Sequence, residues 1–140
     1  MKLLSILISA VVFLSGAGVA TAANSSIAPE RFRPEPVETQ TGKASFYGGR
    51  WAGRKTANGE IYRPETMTAA HKSLPFGTFV KVTNMRNGSS AIVRINNRGP
   101  YVKGRIIDLS VAAARDLKMV NSGVVPIRLE VLVPLPGKAD

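Results

Sequence analysis

The chain has 140 residues, with 19 Lys or Arg against 9 Asp or Glu, one His and no Cys, for a formal net charge of +10 at pH 7. That length holds one domain of ordinary size beside an export segment. The missing cysteines exclude disulfides, thiol nucleophiles and cysteine metal sites, and a lone histidine excludes a multi-histidine site, so no metal and no other cofactor is expected.

Lys2, an apolar run from Leu3 to Leu14 and small residues ending in Ala20-Thr21-Ala22 have the layout of a secretory signal cleaved after Ala22. The run falls short of the roughly 20 residues that span a bilayer, and Gly16 and Gly18 keep it from continuing. A signal peptide over 1–22 is therefore expected, with no stable membrane anchor after cleavage. Without a cysteine to carry lipid, the product is expected to be a periplasmic or secreted protein and not a lipoprotein. Residues 23–41 hold Pro29, Pro34 and Pro36 among polar residues and read as a disordered linker. A domain over 42–134 and a tail over 135–140 complete the expected organisation.

From Gly42 onward, short β-prone runs are broken by glycine and proline, the texture of a mainly β fold with a small helical insert. Lys43–Tyr47 is the first expected strand. Thr78–Thr83 and Ser90–Ile95 flank Asn84-Met85-Arg86-Asn87-Gly88, a hairpin in which Asn87 and Gly88 would supply positive φ. Arg105–Leu109 is a further strand. Ser110 can cap a helix running to about Leu117, and Val124–Val133 closes the series with Pro126 near its start. Closure into a barrel would leave such strands without exposed edges.

Between Lys43 and Val133, fifteen Lys or Arg face five Asp or Glu, so the partner is expected to be anionic. The export signal and the lack of a nucleic-acid motif turn that expectation from nucleic acid towards cell-wall polymer or an anionic membrane surface. Candidate chemistry concentrates in three stretches. Glu60 comes directly after the Asn58-Gly59 turn, where a carboxyl with a raised pKa could act as general acid, or simply be a solvated side chain. His71 reads equally as a buried structural histidine, a proton carrier or a sugar contact. Asp108 sits in an apolar strand just ahead of the helix, and binding of backbone N–H groups at the helix start is the favoured role over catalysis. Tyr47, Trp51, Tyr62 and Tyr101 are aromatic residues in or near turns that could stack on sugars or pack internally. Arg98 could grip a sugar carboxylate or buttress its own turn.

Six blocks, Gly42-Lys43-Ala44-Ser45-Phe46-Tyr47-Gly48, Thr56-Ala57-Asn58-Gly59-Glu60, Thr68-Ala69-Ala70-His71, Leu74-Pro75-Phe76-Gly77-Thr78, Arg94-Ile95-Asn96-Asn97-Arg98-Gly99-Pro100 and Gly104-Arg105-Ile106-Ile107-Asp108-Leu109-Ser110, resemble in order and spacing those of the rare lipoprotein A (RlpA) family. The resemblance implies a six-stranded double-psi β-barrel with a short helix, related to the first domain of expansins. It also implies an endolytic lytic transglycosylase acting on peptidoglycan glycan strands freed of stem peptides. Glu60 is similar to the family's catalytic acid, His71 to a second active-site residue and Asn97 to a third, with Asp108 a lesser catalytic candidate. Substrate contacts are expected from Tyr47, Trp51, Asn58, Arg98 and Tyr101, in a monomer. In a lytic transglycosylase the sugar's own C6 hydroxyl attacks the anomeric carbon, so one carboxyl can serve first as acid and then as base. Active relatives commonly have Asp where this chain has Asn97. Loss of one well-placed charge typically slows an enzyme about 10²–10³-fold, so a non-catalytic, expansin-like wall-binding or wall-loosening module stands as the alternative.

Overall fold

The computed structural model describes residues 26–137, and the export signal expected over 1–22 lies outside them. Six strands, β1 (Glu38–Phe46), β2 (Thr68–His71), β3 (Phe79–Asn84), β4 (Ser90–Asn97), β5 (Arg105–Leu109) and β6 (Val125–Leu132), close into a barrel in the order β1-β5-β2-β4-β3-β6. Two neighbouring pairs, β1/β5 and β2/β4, run parallel and the others antiparallel. Residues alternate in and out along β6, so Val125, Ile127 and Leu129 are buried while the residues between them are half-exposed. Val80, Val82, Val93, Ile95, Ile107 and Leu109 meet them from the other strands, in a core without polar side chains at these positions. Gly42 is needed where β1 crosses β5, because a Cβ there would sit 2.8 Å from Ile106 Cγ2.

The hairpin forms between β3 and β4 as expected, but of its two turn residues Gly88 alone takes a positive φ, of 80°. The turn closes through amides of Asn87 and Gly88 donated to Asn84 O, and Asn84 Nδ2 reaches the buried Leu117 carbonyl at 2.9 Å. That carbonyl lies at the end of the helix α1 (Val111–Asp116), so the hairpin satisfies an orphan group of the helix terminus. Ser110 caps α1 as expected, accepting from the Ala113 amide at 3.2 Å and donating to Thr66 O at 2.6 Å.

One strand was not anticipated, and one expectation is corrected. β2 had no place in the strand pattern: its four residues are all buried, which removes the in-out alternation that marks a strand. The disordered linker expected over 23–41 is ordered from at least Pro29, since a 3₁₀ turn covers Pro29–Arg31 and β1 starts at Glu38. The polar outward face of Glu38–Thr41 hid a strand whose partner is β6, from Glu38 opposite Val131 to Ala44 opposite Val125. Ahead of it, Phe32 is buried, pairs with Pro134 and packs on Phe79 at 5.1 Å between ring centroids. The domain therefore includes residues placed in the linker. Phe32→Ala is expected to destabilise the protein by about 3 kcal/mol in urea denaturation; a change within error would mean that this segment is not part of the cooperative fold.

Candidate active-site groove

Register across four neighbouring strands creates the site. Ser45 on β1 pairs with Asp108 on β5, Asp108 pairs with Ala70 on β2, and Ala70 pairs with Asn97 on β4. These four side chains form a row across the barrel wall. Ala70, the smallest of them, leaves the space between Asp108 and Asn97 open, and all four line a groove of about 430 Å³. Tyr47, Trp51, Tyr62 and Arg98 line it too, with Arg50, Arg54, Lys55 and Arg105 among its basic residues. Among the described residues Asp108 is the single carboxylate in that lining.

Ser45 Oγ donates a short hydrogen bond to Asp108 Oδ1, and Arg105 Nη1 donates to Ser45 Oγ at 3.4 Å. Asp108 thus does not hold the helix start, the role favoured for it from sequence, because Ser110 already does. Across the row, Asn97 Oδ1 accepts from the amides of Ala57 and Arg98, both at 2.9 Å, which leaves the Nδ2 group as its remaining hydrogen-bonding function.

Residues 39–129 match the model of the lytic transglycolase family. The chain belongs to this family. It is 64% identical over 106 residues to a protein of Nostoc sp. named probable endolytic peptidoglycan transglycosylase RlpA, covering 74% of this chain and 29% of that protein. The endolytic peptidoglycan transglycosylase RlpA of Neisseria meningitidis serogroup A is 50% identical over 111 residues, covering 77% of this chain and 46% of that one. The chain therefore spans less than half the length of these two relatives. Among solved structures, the expansin of Clavibacter michiganensis superposes with a TM-score of 0.57 at 23% identity, covering 71% of this chain and 53% of the expansin. It shares the fold, the double-psi barrel of the lytic transglycolase family.

Two residues that the family resemblance marks as catalytic do not line this groove. Arg94 and Asn96, two apart on β4 and so on one face, hold Glu60 against a second cavity lined also by Arg63, Thr66 and Thr68. Arg94 grips the Glu60 carboxylate with two parallel bonds of 2.9 and 3.0 Å, and Asn96 Nδ2 adds a third at 2.9 Å. These donors hold the carboxyl down at about 2, against 4.5 for an ordinary glutamate, in spite of some desolvation. The raised pKa expected of Glu60 is thus reversed, since these donors favour its ionised form. His71 is buried, and its Nδ1 accepts from the amides of Ser73 and Leu74, both at 3.1 Å. Nε2 must then carry the proton and donate to Gln40 Oε1 at 3.0 Å. Burial, helped by Arg98, pushes its pKa down. Of the roles weighed for His71, the structure supports the structural one.

The remaining candidates divide. Asn58 Oδ1 accepts from Thr56 Oγ1 and the Glu60 amide, so it shapes its loop and does not line the groove. Tyr101 is 78% exposed and outside the groove lining. Tyr47 packs edge-on against the buried Tyr62 at 4.7 Å, which commits both rings to each other. Trp51 alone of the aromatic candidates is both in the groove and 40% exposed, with Arg54 4.9 Å and Arg50 5.6 Å from its ring centroid. Arg98 donates to the carbonyls of His71 and Leu74 and lies 4.0 Å over Phe76, so it buttresses the groove wall. Sequence reasoning missed Ser45, Ala70 and Arg105 as groove residues. All three lie within the six family-like blocks, but their place in the groove becomes readable only once the strand register is known.

The Glu60 clamp has a pH signature. A carboxyl with a lowered folded pKa contributes stability above its ordinary value of 4.5 and loses it as pH falls through about 2. The pair is 32% and 40% exposed, so the contribution is small. The stability difference between the native protein and Glu60→Gln is expected to stay flat from neutral pH to about 5 and to shrink in more acid solution. Urea melts at stepped pH read this, and a difference that grows on acidification would contradict an ionised clamp.

Proposed function

We propose that this chain is a peptidoglycan lytic transglycosylase whose acid and base is Asp108. The observation that carries this reading is the groove's single carboxylate. Hydrolysis of a glycosidic bond ordinarily uses two carboxyl groups, one to protonate the leaving oxygen and one to activate water or attack carbon. With Asn97 facing Asp108 across Ala70, the second is missing from the groove lining. A lytic transglycosylase does not need it. Asp108, protonated, gives its proton to the glycosidic oxygen as the C1–O bond breaks. The resulting carboxylate then takes the proton of the same sugar's C6 hydroxyl as that oxygen bonds to C1, leaving a 1,6-anhydro end and restoring the acid. The names of the relatives point to the same reaction.

Charge indicates the substrate class. Arg50, Arg54, Lys55 and Arg105 line the groove around that one acid. A strand freed of stem peptides carries one lactyl carboxylate on each N-acetylmuramic acid, and guanidinium groups match carboxylates with paired donors. Trp51 offers a ring for a sugar face. Glu60 supports the loop that brings the Ala57 amide to Asn97, and so acts on the groove at one remove. A protein with this substrate works outside the cytoplasmic membrane, in accord with the export signal expected over 1–22.

Mass spectrometry of stem-peptide-free glycan after incubation with the purified protein tests the assignment. Anhydro-ended fragments are expected from the native chain, at least 10²-fold fewer from Asp108→Asn, and more from Asn97→Asp. Fragments undiminished in Asp108→Asn and abolished in Glu60→Gln would return the catalytic role to Glu60. Glycan retained on the protein with no fragments formed would instead identify a binding or wall-loosening module, the reading that Asn97 favours.

A further inference from the structure

Among the described residues, the groove lining holds one buried polar side-chain group without a hydrogen-bond partner. The hydroxyl of Tyr47 is enclosed, and no hydrogen-bond partner meets it. Burial pushes its pKa up, so it stays a neutral donor. The side chains of Asn97 and Thr68 approach it without completing a well-formed bond, and Thr68 Oγ1 is itself unpartnered. A buried hydroxyl left in this state costs more than one that was never there.

Position 97 offers the phenol's proton no free acceptor. The two backbone amides of Ala57 and Arg98 converge on Asn97 Oδ1, and the Tyr47 hydroxyl approaches the same side chain. Two amides and a phenol surround the group, and a carboxylate with its two acceptor oxygens could accept a hydrogen bond from all three. Asn97 fits one half of this set. Its Oδ1 satisfies the amides, but the other arm is Nδ2, which can donate to the phenol oxygen and cannot accept the phenol's own proton.

We propose that Tyr47 is a positioning residue for the side chain at 97, its hydroxyl placed to donate to a carboxylate oxygen where Asn97 has an amide nitrogen. The inference deepens the reading of this groove as the reaction site and rests on it for its consequence in catalysis. Its physical core, a coupling between positions 47 and 97, does not require any activity. Tyr47 would hold a carboxylate at 97 at one angle to the groove, opposite Asp108. In the native chain the same hydroxyl holds nothing.

A double-mutant cycle separates these states, using the native chain, Tyr47→Phe, Asn97→Asp and the double variant, all close to isosteric. Thermal melts at pH 7 come first. Tyr47→Phe is expected to leave the melting temperature of the native chain unchanged or higher, and to lower that of Asn97→Asp by about 4 °C. A purely packing role for the Tyr47 ring would not distinguish the two backgrounds. Carboxyl carbon NMR of the Asn97→Asp protein supplies a readout that packing does not move: the introduced carboxyl should titrate at higher pH once Tyr47→Phe removes its donor. Equal melting shifts in both backgrounds, or a carboxyl titration indifferent to Tyr47→Phe, would overturn the proposal. Because neither measurement uses substrate, such a failure is distinct from failure to cleave glycan. If the chain cleaves, the gain from Asn97→Asp should fall at least 10-fold in kcat, with KM little changed, when Tyr47→Phe is added.

Discussion

Everything in this site depends on the register of four strands. β1/β5 and β2/β4 are the barrel's parallel pairs, and the antiparallel β2/β5 contact joins them into one sheet face. A side chain in a strand points to alternate faces, so a slip of one residue in any of these pairings would turn a groove residue into the core. Ala44, Ala69 and Ile107, each next to a groove residue, are wholly or almost wholly buried, which locks the register by hydrophobic burial. The geometry of the groove and the stability of the core are in this sense one constraint. Gly42 belongs to it as well, since close approach to Ile106 lets β1 and β5 meet.

Electrostatic compensation then sorts the two carboxyl groups nearest the site. Glu60 receives three donors and stands as an anion whose charge is already answered. Asp108 receives one neutral hydroxyl, from Ser45, which in turn accepts from Arg105, while Arg50 and Arg54 lie over Trp51 and Arg98 is held at carbonyls. A group asked to give and retake a proton needs a charge that is not fixed by a guanidinium clamp. Two carboxylates thus have different surroundings, Glu60 clamped by Arg94 and Asn96 and Asp108 lining the groove beside Ser45.

Much of this was legible in the sequence, and where it was not the reason is physical. The hairpin, the Ser110 cap, β5 and β6 follow from turn chemistry and alternation, and the structure has them within a residue or two. β2 escaped because a fully buried Thr-Ala-Ala-His strand has neither alternation nor strong β-formers. The first half of β1 escaped because its outward residues are polar and its pairing comes from a strand some ninety positions later. At the site, Trp51, Arg98 and Asp108 could be picked by residue type, and Asn97 through the family resemblance. Glu60 could not be placed, because Arg94 and Asn96 are separated from it by more than thirty residues and their joint action on its carboxyl is a property of the folded chain. Ala70 carries no chemistry at all, and its contribution is the space it does not fill.

The central claim is that one carboxyl suffices because the substrate supplies its own nucleophile. Digestion of stem-peptide-free glycan in water enriched in oxygen-18, with the fragments weighed by mass spectrometry, tests it most directly. The account predicts 1,6-anhydro ends that contain no oxygen-18, since no water joins the new terminus. Reducing ends that carry the label would show that water is the nucleophile, and would contradict the assignment of this groove to transglycosylation by Asp108 alone.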